Sequence, residues 1–180
     1  MKAVVLTGSS REHSYTAALA WALGDALSSA GVEPRIVGAT EVGAVPSAGS
    51  AWRPAEDLLA LVREADAVVL VSPVYHGGYS ALLKAALDGL PGDAFVDKPV
   101  AVAANGSGPR TGNVVCEQLR TVAKAMGGWV VPTQAAGCPE DFLPGEVLPP
   151  RASPELGERC RAIAAELQRF AALFRTPAGV

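Results

Sequence analysis

Short apolar runs alternate along the chain with longer segments in which apolar residues recur every three or four positions. The clearest run, Ala67–Val71, contains no polar residue, which is typical of a strand buried on both faces of a sheet. The pattern predicts five strands, at Val4–Leu6, Arg35–Val37, Ala67–Val71, Val100–Ala103 and Trp129–Val131.

Segments with helical periodicity separate these strands. Leu19, Leu23 and Leu27 follow one another at steps of four and place one apolar stripe on a helix that begins near Ser14 and ends by Gly31. A second helix is predicted to begin at Pro54. Three more are predicted at Ser80–Gly89, about Asn113–Met126, and Pro154–Phe174.

Strict alternation of strands and helices predicts an α/β protein whose parallel sheet is covered by helices on both faces. Five strands are too few for an eight-stranded barrel. We therefore expect residues 1–180 to form a single doubly wound domain, a three-layer sandwich with a five-stranded parallel sheet.

Composition and charge narrow the classes of function. The net charge is -3, so bulk electrostatics attract the chain neither to nucleic acid nor to an anionic membrane. No run approaches the roughly 18 apolar residues of a membrane span. The N-terminal residues resemble the start of a signal peptide, but polar residues from Thr7 onward interrupt the apolar run that such a peptide needs. Three cysteines without a CxxC pair argue against a disulfide framework or a structural metal site. We expect a cytoplasmic protein that acts on small molecules.

In a doubly wound sheet, ligands bind beyond the carboxyl ends of the strands. The segment after the first predicted strand, Thr7–Thr16, surrounds Arg11 with hydroxyl side chains at the start of a helix. The N–H groups and dipole of a helix N-terminus favour a phosphate, and an arginine adds a charge-assisted hydrogen bond. The alternative interpretation is an ordinary turn in which Ser14 caps the helix and Arg11 is solvated.

Glycine-rich segments follow two further strands. Ser72–Ser80 contains Gly77 and Gly78, and Asn105–Gly112 contains three more glycines. Backbone amides in such loops can approach the polar edge of a flat ligand. One anion-binding loop and two glycine-rich walls predict a ligand with a phosphate and a planar ring.

These segments resemble motifs of the NADPH-dependent FMN reductase family. Residues 8–14 are similar to its G-S-x-R-x-x-S phosphate loop, and residues 72–88 to its S-P-E-Y segment followed by L-K-N-A-L-D. The resemblance implies a flavodoxin-like fold with strand order 2-1-3-4-5, bound FMN, and a homodimer or homotetramer. Val74 departs from the Glu that is usual in the family, and Ala85 departs from Asn.

Residues of three segments are implied to bind FMN, the first holding the phosphate and the others the ring. They are Ser9, Arg11, Ser14, Tyr15 and Thr16; Pro73, Val74, Tyr75, His76 and Gly77; and Asn105, Gly106, Ser107 and Gly108. No metal site is expected. No residue is certain to be catalytic, because the flavin performs the chemistry; His76 is a possible accessory residue.

The resemblance implies an NAD(P)H-dependent oxidoreductase that passes hydride to FMN and then, in ping-pong fashion, to a small acceptor such as a flavin, a quinone or an azo compound. The main alternative is a non-enzymatic electron carrier of flavodoxin type, although carriers of that type lack an arginine such as Arg11. A relative without flavin, with a binding or regulatory role, is a third possibility, which Val74 keeps open.

Two long segments rich in Pro and Gly, Gly38–Arg53 and Pro132–Ser153, are expected to shape the acceptor site. The second carries Phe142, Leu143, Val147 and Leu148, whose exposure to water would be costly, so we expect a partner subunit to cover them. The alternative is that they fold back on their own subunit. Cys138 in this segment is expected to be exposed, whereas Cys116 and Cys160 have helical spacing and are expected in the core.

Overall fold

The computed structural model describes residues 1–38, 56–143 and 150–174. The strands are β1 (Lys2–Thr7), β2 (Glu33–Val37), β3 (Ala67–Pro73), β4 (Pro99–Asn105), β5 (Trp129–Val130) and β6 (Ala135–Gly137). The helices are α1 (Tyr15–Ser29), α2 (Glu56–Glu64), α3 (Ala81–Asp88), α4 (Thr111–Ala125) and α5 (Pro154–Phe174), with a 3₁₀ turn at Pro139–Asp141.

Within the described ranges, the strands form one parallel sheet in the order β2-β1-β3-β4, and β5 and β6 both pair with the far edge of β4. This confirms the predicted α/β sheet and its strand order. Alternate residues of each strand face opposite layers. Val4 and Leu6 pack in the layer between the sheet and helices α2, α3 and α4, whereas Ala3 and Val5 pack in the layer that contains α1 and α5.

The fifth strand differs from the prediction because it is split. Trp129–Val130 pairs with the start of β4, and Ala135–Gly137 pairs with its end. Between them, Pro132 has no N–H to donate to a neighbouring strand. The next residue turns towards α5: the backbone N–H and the hydroxyl of Thr133 donate to the Glu166 carboxylate at 2.9 and 2.7 Å. These bonds hold the interruption against the helix.

Two serines cap the helices that follow the carboxyl ends of β1 and β3. The Ser14 hydroxyl accepts a hydrogen bond from the Ala17 N–H at 3.1 Å and caps α1. The Ser80 hydroxyl accepts from the Leu83 N–H at 3.2 Å and caps α3. Both helices therefore start where the sequence pattern places them, because a hydroxyl satisfies an N–H that the helix leaves unpaired.

Two expectations for the segment after Pro132 are wrong. Cys138 is buried, with 2% of its surface exposed, because the chain folds into β6 and the 3₁₀ turn instead of an open loop. Phe142 is 5% exposed and packs on Tyr15 of its own subunit, with ring centroids 4.9 Å apart. Leu143 is about half exposed, and residues 144–149, which include Val147 and Leu148, lie outside the described residues.

The other cysteines lie in the core, as predicted. Cys116 and Cys160 are fully buried, and burial raises the pKa of each thiol to about 12. Burial also raises the pKa of the Cys138 thiol, and the hydrogen bond to Asp141 adds to this shift. These thiols are therefore protonated and shielded. Separately, among the described helices we find none that is long and apolar enough to cross a membrane.

Candidate functional site

A cavity of about 380 Å³ lies beyond the carboxyl ends of β1, β3 and β4. It brings together most of the residues that the sequence predicts for the site, which are Ser9, Arg11, Ser14, Tyr15, Thr16, Pro73, Val74, Tyr75, Asn105, Gly106 and Ser107. His76, Gly77 and Gly108 lie outside its lining. His13 and Pro139 line it in addition. Pro139 could not be foreseen because it follows the unpredicted strand β6.

Hydroxyl groups of the first loop form a compact hydrogen-bonded turn. The Ser9 and Ser14 hydroxyl oxygens lie 2.7 Å apart, and the Ser9 hydroxyl also donates to the Arg11 carbonyl at 3.1 Å. Ser14 caps α1 as well, so the interpretation of this loop as a capped turn is correct for that residue. Additional hydroxyls and Arg11 remain beside the cap, which a simple turn does not require.

Arg11 gives this wall of the cavity a positive charge. Its side chain is exposed and forms no hydrogen bond or ion pair within the described part of the chain. The loop leads directly into the N-terminus of α1, whose first N–H groups carry a partial positive charge. No carboxylate lines the cavity among the described residues. The arrangement therefore favours an anionic group at this wall.

Gly8 packs the first loop against the start of α3. A Cβ at this position would collide with the Ser80 hydroxyl oxygen and lie 2.8 Å from Leu83 Cβ. Only glycine therefore lets the first loop pack directly on the start of α3.

The second loop ends in a tight turn. The N–H and carbonyl groups of Tyr75 and Gly78 bond reciprocally, at 2.9 and 3.0 Å. His76 and Gly77 between them have φ angles of 52° and 78°, both in the left-handed region. Glycine adopts this region at no steric cost, whereas His76 adopts it under strain. The imidazole is exposed and stands outside the cavity.

Asn105 places an unsatisfied acceptor at the third loop. The residue is 8% exposed, and its Oδ1 has no hydrogen-bond partner within the described residues. Its carbonyl accepts from the Val74 N–H at 2.9 Å, which joins the second and third loops at their base. A buried acceptor left unpaired costs roughly 1–3 kcal/mol. Oδ1 faces β6, where it would lie 3.1 Å from a Cβ built on Gly137.

The neighbouring Gly106 makes the close contact of these loops possible. A Cβ there would collide with the Thr111 hydroxyl oxygen and lie 3.3 Å from Val74 Cγ2. Val74 occupies the position at which the family that the sequence resembles usually has glutamate. The wall formed by the second loop is therefore apolar there and carries no charge.

Comparisons with known proteins show which proteins this chain is similar to. Residues 1–141 match the model of the NADPH-dependent FMN reductase family. An FMN-dependent NADPH-azoreductase of Staphylococcus aureus is 34% identical over 154 residues, which cover 81% of each chain.

Solved structures match over nearly the whole chain. An oxidoreductase from Corynebacterium diphtheriae has a TM-score of 0.75 at 23% identity, covering 96% of this chain and 97% of its own. A WrbA-like flavodoxin from Agrobacterium tumefaciens has a TM-score of 0.70 at 18% identity, covering 97% and 99%. At such identities the likeness shows the fold alone, and that fold is the flavodoxin-like one predicted from the sequence.

The two glycines of the turn should respond differently to substitution. Gly77→Val should lower the free energy of unfolding by about 1–3 kcal/mol, because a β-branched residue is strained at a φ of 78°. Gly78→Ala should change it by less than about 0.5 kcal/mol, since φ is not positive there and the new Cβ would lie 3.7 Å from the nearest atom. Urea unfolding measures both values. Equal losses would contradict this geometry of the turn.

Proposed function

The chain belongs to the NADPH-dependent FMN reductase family, and on this premise we propose that the cavity beyond β1, β3 and β4 binds FMN. The observation that carries the proposal is the meeting, in one cavity, of a positively charged, hydroxyl-rich loop with an apolar wall at Pro73–Tyr75 and a third wall at Asn105–Ser107. The first feature suits a phosphate, and the second suits a planar ring.

As a member of this family, the chain is an FMN-dependent NAD(P)H oxidoreductase. The prediction of an enzyme, rather than a non-enzymatic electron carrier, is confirmed. When bound, FMN would supply the two-electron chemistry of such a site, because the flavin can accept a hydride and pass it on.

The residues of this chain bind and orient the cofactor. Arg11, the hydroxyls of Ser9 and Thr16, and the N-terminus of α1 hold the phosphate. Pro73, Val74 and Tyr75 form one wall for the ring, and the loop from Asn105 to Gly108 forms the other. His76 stands at the rim, where it can contact a substrate that enters from solvent. No side chain is required as a general acid or base for hydride transfer itself.

The electron acceptor is a small molecule that enters the open side of the cavity. An azo compound is our first candidate, because the curated relative is named as an azoreductase and shares 34% identity with this chain. The exposed Tyr75 ring, 46% accessible, offers a flat apolar surface at the cavity for an aromatic acceptor.

We further propose that the whole chain is one domain that forms at least a homodimer in the cytoplasm. Tyr75 at the cavity, and Val114, which is 54% accessible in the first turn of α4, leave exposed apolar surface that a second copy can cover. All three cysteines are free thiols, which is consistent with a reducing compartment.

The decisive test of function is reduction of the FMN-loaded protein by NADPH without oxygen. We expect rapid loss of the visible flavin absorption on adding NADPH, followed by its recovery, with bleaching of the dye, when an azo compound is added. FMN that stays oxidised with NADPH would contradict the proposed activity. Recovery with a quinone but not with the dye would reject the azo compound as acceptor.

Arg11→Ala should weaken FMN binding about 10- to 150-fold, the range for loss of a charge-assisted hydrogen bond to an anion. Thermal stability should stay unchanged because the side chain has no partner in the described structure. Titration followed by flavin fluorescence measures the affinity. Arg63→Ala is the control, since it removes the same charge from the exposed end of α2, where the Arg63 carbonyl accepts from Lys98 beside the amino end of β4 and away from the cavity. Equal FMN affinities in the two variants would contradict the assignment of the Arg11 loop to phosphate binding.

Light scattering at micromolar concentration tests the assembly. We expect a mass near twice the 18.4 kDa of the chain, or a higher multiple. A single species of 18.4 kDa would contradict the homodimer. One subunit alone would then form the whole cofactor site.

A further inference from the structure

The side chain of Gln118 reaches from α4 to the turn at Tyr75–Gly78. Its Nε2 donates a hydrogen bond to the Gly77 carbonyl at 3.0 Å, across 41 positions of sequence. Gln118 is half-buried, and it lies outside both motifs that carry the family resemblance.

The base and the tip of the second loop are held differently. At the base, the Val74 N–H donates to the Asn105 carbonyl at 2.9 Å, and the Ser80 N–H donates to the buried Ser72 hydroxyl at 2.9 Å. At the tip, the Tyr75–Gly78 turn closes on itself with two left-handed residues. Within the described residues, Gln118 provides the one side-chain hydrogen bond to that tip.

This bond fixes the orientation of one peptide group. The peptide between Gly77 and Gly78 has its carbonyl bonded to Gln118 and its N–H bonded to the Tyr75 carbonyl at 3.0 Å. It is therefore held at both ends. The N–H of Gly77, one peptide earlier, forms no hydrogen bond in the described part of the chain, and Gly77 is exposed beside the cavity-lining Tyr75.

The same contact links two walls of the cavity. Helix α4 begins at Thr111, directly after the third loop, and Thr111 packs against Gly106. Gln118 lies two turns further along this helix. Its bond to Gly77 therefore ties the tip of the second loop to the helix that carries the third.

We propose that Gln118 is a positioning residue of the FMN site: it holds the turn at Tyr75–Gly78 so that Tyr75 and the unpaired Gly77 amide stay in place for the flavin ring. The proposal rests on the proposed function. Gln118 acts through the turn and is not itself assigned a contact with FMN.

The test compares two glutamines that make the same kind of bond. Gln168 Nε2 donates to the Ala30 carbonyl at 2.9 Å, at the end of α1 remote from the cavity. Gln118→Leu and Gln168→Leu each remove one amide donor to a backbone carbonyl, so Gln168→Leu is a matched control for stability. Gln118→Lys keeps an N–H donor on a long side chain and serves as the rescue variant.

Three measurements report on the turn. We expect Gln118→Leu to weaken FMN binding about 2- to 10-fold, the effect of one neutral hydrogen bond. The visible circular dichroism of bound FMN should change, because it reports the surroundings of the ring. Hydrogen exchange at the Gly78 amide should become faster, with or without FMN. Gln168→Leu should change none of the three, and Gln118→Lys should restore most of the affinity.

Equal FMN affinity and unchanged dichroism in Gln118→Leu and Gln168→Leu would overturn the role of Gln118 while leaving the proposed function intact. Failure of Gln118→Lys to recover affinity would also overturn it, since the donor would then not be the property that matters. If the wild-type chain bound no FMN, the proposed function would fall, and the role of Gln118 with it.

Discussion

Parallel pairing of β1, β3 and β4 brings three loops, far apart in sequence, to one edge of the sheet. Thr7 of β1 pairs with Val71 of β3, and Pro73 of β3 pairs with Asn105 of β4. Each strand is followed at once by a segment of the cavity wall. The relative positions of the loops therefore follow from the register of buried strands, and the loops themselves need few contacts to stay aligned.

Close packing between the loops adds the second constraint. Gly8 lets the first loop rest on the start of α3, and Gly106 lets the third loop rest against Val74 and Thr111. These two glycines thus allow close contacts between parts of the protein itself. Gly77 is different, because its surroundings are open and its conformation alone requires glycine.

The sequence pattern predicted the elements whose burial is uniform. Val68–Val71 and Val100–Ala103 are apolar because both faces of the sheet are covered, and an unbroken apolar run in the sequence indicates that property. The sequence pattern did not predict the strand at Ala135–Gly137, because three small residues after Pro132 do not resemble a strand and pair only through their backbone. The positions of Cys138 and Phe142 depend on that strand, so both were misjudged. Gln118 carried no signal, since a polar residue on a helix is ordinary until the structure shows its partner.

The split of the fifth strand has a consequence for how copies of this chain can meet. An unbroken edge strand is a template for strand addition between molecules. Here one edge is interrupted after Val130, and on the other edge Pro34 of β2 lacks an N–H. Within the described ranges, neither edge presents a long, regular ladder of donors and acceptors. In the homodimer that we propose, the subunits would then associate through helix and loop surfaces, and edge-to-edge growth of the sheet would be disfavoured.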